Sequence, residues 1–162
     1  MKRIGIDFGK VIMGASTNGK EDTAFFGDNF LEAMQTPPSE KAFESISRIV
    51  QLFDGDAWII SKCGPAIQDK TKKWLDHWDF YRATGFKRQH IRFCLKRHEK
   101  TAIAEELRLN YFIDDRADVL EPMRGIVENL YLFGDQTVPI SGWLFPVKNW
   151  QVAMSTIESH TR

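Results

Sequence analysis

Arg3-Ile4-Gly5-Ile6-Asp7-Phe8-Gly9-Lys10-Val11-Ile12 is a short apolar run that delivers a carboxylate and then loosens into glycine and lysine. An apolar run without polar alternation suits a strand buried on both faces, as in a parallel sheet covered by helices. Function in such sheets gathers at the carboxyl ends of the strands. Asp7 therefore stands where a site belongs. Val11-Ile12-Met13 reads as a continuation of the extended chain.

Similar runs recur outward from this one. Tyr111-Phe112-Ile113 leads into Asp114-Asp115, Ala57-Trp58-Ile59-Ile60 ends in Ser61, and Ile91 to Cys94 and Leu130 to Phe133 are two further strands. Between them the period changes. Ala42, Phe43, Ile46, Ile49, Val50 and Phe53 recur at helical spacing after Pro37-Pro38-Ser39, with Ser39 suited to cap the helix. Gly64-Pro65 opens a helix striped by Trp74, Leu75 and Trp78, since proline is tolerated in a first helical turn. Further helices are expected from Thr101 to Arg108, around Val119, Leu120 and Met123, and from Trp150 to Ile157. Asn18-Gly19 signals a hairpin turn, with Phe25-Phe26 on the returning arm. Short strands alternating with helices predict an α/β, Rossmann-like, three-layer fold around a central parallel sheet.

The 162 residues fit one domain spanning 1–162. Lys plus Arg and Asp plus Glu both number 22, so a formal charge of zero offers no global argument for a nucleic-acid or membrane partner. No apolar run is long enough for a signal peptide or a membrane span. Cys63 and Cys94 lack metal-ligand spacing and read as free thiols of a reducing compartment, so the cytoplasm is the expected location. A homo-oligomer stays open.

The polar residues at the strand ends suggest a chemistry. A carboxylate attacks phosphorus only if its charge and the phosphate's are offset, by a divalent metal held on carboxylates and by a lysine. Mg²⁺ suits this task because it takes oxygen ligands and needs only one or two protein carboxylates besides phosphate and water. Asp7 and Asp114 supply such carboxylates, Ser61 a phosphate hydrogen bond, and Lys100 a cation just ahead of the helix that feeds the Asp114 strand.

The ordered set IGIDFGKVI, WIIS, an upstream lysine and YFIDDRADVL resembles the four motifs of the haloacid dehalogenase superfamily across roughly residues 3 to 133. The resemblance implies a Mg²⁺-dependent phosphohydrolase of a phosphorylated substrate, a nucleotide among the candidates. It makes Asp7 the nucleophile that forms an aspartyl-phosphate and also a metal ligand. The main-chain carbonyl of Gly9, Asp114 and Asp115 would complete the metal set, with Asp118 supporting its water shell. Ser61 would bind the phosphoryl group beside Lys62 and Lys10, and Lys100 would be the third-motif lysine, with Lys96 and Lys73 as rivals. The gaps from Met13 to Asp56 and from Lys62 to Glu99 are too short for a full α/β cap, so the site is expected to be open, with minimal or no lid.

One position departs from the family pattern. Gly9 stands where most such phosphatases have a second aspartate as general acid and base, a role contributing on the order of 10²–10⁴ in rate. The alternative is therefore a catalytically impaired module of the same fold that binds phosphate or a partner. A dehalogenase-like hydrolase also lacks that aspartate but needs no metal, and the acids at Asp114-Asp115 argue against it.

Two look-alikes fail on context. Gly14 to Lys20 has P-loop spacing, but Glu21 replaces the required Ser/Thr. Asp7-Phe8-Gly9 copies a kinase tripeptide without the catalytic loop before it. The basic run from Lys87 to Lys100 reads first as a solvated surface and second as a rim attracting an anionic substrate, nucleic acid included.

Overall fold

The structure is a computed structural model that describes residues 1–14 and 30–162. The expected Asn18-Gly19 hairpin, its Phe25-Phe26 arm and all but the first residue of the P-loop-like spacing lie outside the described residues. Six strands, β1 (Ile4–Ile6), β2 (Ala57–Lys62), β3 (Ile91–Cys94), β4 (Tyr111–Asp114), β5 (Asn129–Phe133) and β6 (Phe145–Val147), form one sheet in the order β3-β2-β1-β4-β5-β6. Every neighbouring pair is parallel. The helices are α1 (Phe30–Gln35), α2 (Ala42–Leu52), α3 (Pro65–His77), α4 (Phe80–Thr84), α5 (Glu99–Glu106), α6 (Ala117–Leu120) and α7 (Trp150–Thr161), with a 3₁₀ turn at Glu121–Met123. No helix among the described residues is long and apolar enough to cross a membrane.

Alternation within the strands sends side chains to two apolar layers. On one face Ile4, Ile6, Ile59, Ile113 and Tyr131 meet Ile46 and Ile49 of α2, Trp74 of α3 and Trp150 of α7. On the other, Ile60, Phe112, Leu130 and Leu132 meet Ile103 of α5, Leu120 of α6 and Met123. Gly5 in the middle of β1 has a packing cause. A Cβ there would lie 2.7 Å from Leu109 Cδ1 and 2.8 Å from two Phe112 ring carbons, so those side chains fill the space that a side chain at position 5 would need.

Several expectations are corrected. Val11 to Met13 does not extend β1, because the amides of all three turn back and donate to the Phe8 carbonyl at 2.9–3.3 Å. Ser39 does not cap α2. The cap position is Lys41 in a left-handed conformation (φ 65°), and Ser39 contributes only its carbonyl, which accepts from the Ala42 amide at 3.0 Å. The stretch before it is not wholly irregular, since α1 packs beside α3 there. The indoles of Trp74 and Trp78 donate to the Thr36 and Met34 carbonyls at 2.7 and 2.9 Å, closing the end of α1. The helix expected from Thr101 begins at Glu99, and β6 was not anticipated. A third indole, of Trp150 at the start of α7, donates to the Val11 carbonyl at 2.8 Å and so fixes the turn that follows β1. Between β1 and β2 the described chain carries only α1 and α2, and between β2 and β3 only α3 and α4. No cap domain stands over the sheet among the described residues.

Candidate active site

The central pair of the sheet places the two acids. Ile6 of β1 is in register with Ile113 of β4, so Asp7 and Asp114 emerge side by side, tied by the Asp7 amide on the Ile113 carbonyl at 2.9 Å. β2 flanks β1 on the other side and brings Ser61 to the same end of the sheet. All three are almost completely buried, with Asp114 at 0% exposure.

Lys100 sits in the first turn of α5, and the sheet-facing side of that helix carries it inward. Its Nζ donates to Asp7 Oδ1 at 2.9 Å and to Asp114 Oδ2 at 2.8 Å, with the residue only 3% exposed. Lys73 instead pairs with Asp69 at 2.9 Å on the surface of α3, and Lys96 is exposed. Lys100 is thus the lysine that the structure brings to the acids.

Asp115 completes the cluster, one carboxylate oxygen of each of Asp7, Asp114 and Asp115 lying within 4.8 Å of the others. One ammonium against three carboxylates leaves an excess of negative charge, and the proton affinities reflect it. Burial, then the charge of Asp7, pushes Asp114 well above the usual carboxylate range against the opposing pull of Lys100. Burial, then the charge of Asp7 and a hydrogen bond with it, raises Asp115 to about 6. Burial works against the Lys100 ammonium, but the charges of Asp7 and Asp114 more than offset it and raise its pKa. Three clustered oxygen donors with unbalanced charge fit a hard divalent cation such as Mg²⁺. Asp118 does not join them: it is exposed and held by Arg116 through two contacts at 3.0 and 2.9 Å.

These residues line a cleft of about 270 Å³. Gly9, Lys10 and Lys62 lie in its wall as expected, and Cys63, Arg97 and Arg116 join them. Cys63 and Arg97 carried no motif, though Arg97 stood in the basic run, and Arg116 lay inside YFIDDRADVL without a role assigned to it. Lys10 adopts a left-handed backbone (φ 63°), unusual for a residue with a side chain. Gly9 has no such constraint. Its φ lies outside the left-handed region, and a Cβ built there meets nothing within 4 Å among the described residues.

The ion pairing of Lys100 has a measurable consequence. Lys100→Met removes the only cation that directly contacts Asp7 and Asp114 among the described residues. Stranding buried charge in this way costs about 3–5 kcal/mol. Urea unfolding at neutral pH in chelator is expected to show that loss, and it shrinks in acid as the carboxylates take up protons. A loss below about 1 kcal/mol would mean the cluster does not depend on the ammonium.

No family model matches the sequence, and no curated protein does. Among solved structures the chain is similar to a haloacid dehalogenase-like family hydrolase from Xanthomonas campestris, with a TM-score of 0.61 over 98% of this chain and 95% of that one. The two share 11% sequence identity, so the likeness establishes shape: this chain has the fold of a haloacid dehalogenase-like hydrolase.

Proposed function

We propose that this protein is a Mg²⁺-dependent phosphomonoester hydrolase that works through an aspartyl-phosphate on Asp7. The observation carrying the reading is the buried Asp7–Lys100–Asp114 arrangement at the carboxyl ends of two adjacent central strands. Asp7, Asp114, Asp115 and the Gly9 carbonyl would hold the ion, which when bound offsets the charge of the phosphate and draws electron density from its oxygens.

Asp7 attacks phosphorus, forming an Oδ–P bond while the bond to the leaving oxygen breaks. Lys100 fixes the carboxylate in place, and its charge opposes the repulsion between two anions. The Ser61 hydroxyl donates to a phosphoryl oxygen, and Lys62 and Lys10 at the cleft wall attract the phosphate. Water then cleaves the acyl phosphate, releasing phosphate and restoring Asp7. No side chain at position 9 delivers a proton to the leaving group, so the first step favours groups that depart as stable anions. Cytoplasmic location belongs to the same reading, supported by Cys63 and Cys94 being buried and free.

The test is a panel of phosphomonoesters assayed with Mg²⁺ and with chelator. Phosphate release that appears with Mg²⁺ and vanishes in chelator is expected. Equal release in both conditions overturns the metal-dependent reading.

A further inference from the structure

The two sides of the cleft differ in kind. On one stand Arg97, just ahead of α5, and Arg116, just ahead of α6, both exposed. The other lies against the turn after β1 and the first half of α3, where Phe8, Met13, Ile67 and Thr71 line it. Phe8 and Met13 belong to the apolar layer on the face of the sheet that α2, α3 and α7 cover, and Ile67 packs against that layer. The Phe8 ring meets Trp74 of α3 edge-on, with centroids 5.2 Å apart, which braces the wall from behind. Phe8, Met13 and Thr71 are buried, whereas Ile67 keeps part of its surface exposed.

The polar groups of this wall are already engaged. Thr71 Oγ1 donates to the Ile67 carbonyl at 2.7 Å, which turns the hydroxyl back onto its own helix. The amides of Val11, Ile12 and Met13 converge on the Phe8 carbonyl, and the Gly14 amide donates to the Pro37 carbonyl at 2.8 Å. Such a wall offers a sugar or another hydroxylated group little in exchange for its water, whereas an apolar group gains simply by leaving water. Position 9 points to the same class for a separate reason. With glycine there, no carboxyl protonates a leaving oxygen, and a phenolate departs without a proton where an alkoxide does not.

We infer that the wall of Phe8, Met13, Ile67 and Thr71 receives the aromatic ring of the leaving group, and that the preferred substrate is an aryl phosphomonoester. This rests on the phosphohydrolase reading above. Ile67 is the specificity-determining residue, because it is the member of the wall with side-chain surface left to give to a ring. The ring belongs either to a small molecule or to a tyrosine side chain, since both present the same phenolic ester. The open cleft, without a cap domain among the described residues, admits either.

Binding is measured by calorimetry on the full chain with Mg²⁺, using phosphonates, whose P–C bond keeps turnover and leaving-group chemistry out of the comparison. The probes are methylphosphonate, phenylphosphonate and a peptide bearing phosphonomethylphenylalanine. Phenylphosphonate is expected to bind at least about tenfold tighter than methylphosphonate, which requires only part of the ring to leave water. Ile67→Asn should lower that ratio by roughly threefold or more and leave methylphosphonate binding unchanged, while Ile67→Leu should retain the preference. Thermal melting accompanies each variant, and if Ile67→Asn fails to fold, Ile67→Ala carries the same test by trimming the contact without adding polarity. Tighter binding of the peptide than of phenylphosphonate assigns the ring to a tyrosine side chain, and the reverse order assigns it to a small molecule. No preference for phenylphosphonate, or a preference that a folded Ile67→Asn or Ile67→Ala variant leaves intact, overturns the aromatic wall. Phosphate release in the Mg²⁺ panel then leaves the phosphohydrolase reading standing. Failure of all three probes to bind, together with failure of the wild type to release phosphate, overturns both.

Discussion

Asp7→Asn is expected to abolish phosphate release while the protein stays folded. An amide keeps the size and shape of the carboxylate but is a poor nucleophile, and losing a nucleophile removes on the order of 10⁴ or more in rate. The fold should tolerate the change for an electrostatic reason. Asp7 belongs to a cluster in which three carboxylates share one ammonium, and its charge raises the proton affinity of both Asp114 and Asp115. Neutralising it relieves that repulsion, and Lys100 keeps its 2.8 Å contact with Asp114. Turnover and thermal melting are measured on the same preparation. Wild-type turnover in the variant removes Asp7 as nucleophile. Loss of both turnover and fold would make Asp7 a structural acid.

The second large effect is a gain. Without an acid at position 9, an alkyl phosphate must release an unprotonated alkoxide, whereas an aryl phosphate releases a stabilised phenolate. Wild-type turnover should therefore strongly favour the aryl ester. Gly9→Asp introduces a carboxyl at the position where a general acid contributes about 10²–10⁴, and alkyl-phosphate hydrolysis should rise toward that range. The structure favours this variant, because no described residue lies within 4 Å of a Cβ at Gly9 and the backbone there is not left-handed. Both proteins are assayed on both esters at saturating Mg²⁺. If wild type hydrolyses the alkyl ester as fast as the aryl one, another group supplies the proton. If neither protein turns over either ester, a phosphate- or partner-binding module becomes the better reading.

Five of the six strands were legible because buried parallel strands are written as compact apolar runs, and three of these runs, β1, β2 and β4, end at the polar residues that line the cleft. The errors have separate causes. Val11-Ile12-Met13 looks like strand because all three are apolar, yet they are apolar because the turn is buried, each 3% exposed or less. β6 escaped notice because Phe145-Pro146-Val147 is three residues long and contains a proline, which a sheet tolerates at its edge. Ser39 looked like a cap because local propensity favours it, but tertiary packing started α2 two residues later than that cap would set. Lys100 and Arg97 stand three residues apart in the same basic run, and nothing in that run states that one is sealed between carboxylates while the other faces an open cleft. That difference is created by where α5 meets the sheet.

The bond from the Trp150 indole to the Val11 carbonyl spans 139 residues of chain and fastens the turn just after Asp7. During synthesis Asp7 leaves the ribosome 143 residues ahead of Trp150, the group that holds its loop, which emerges only after β6. At roughly 5–20 residues per second the early segments wait several seconds for it. Until then the Val11 carbonyl lacks its indole donor, so the loop that carries Asp7 is fastened only late in synthesis.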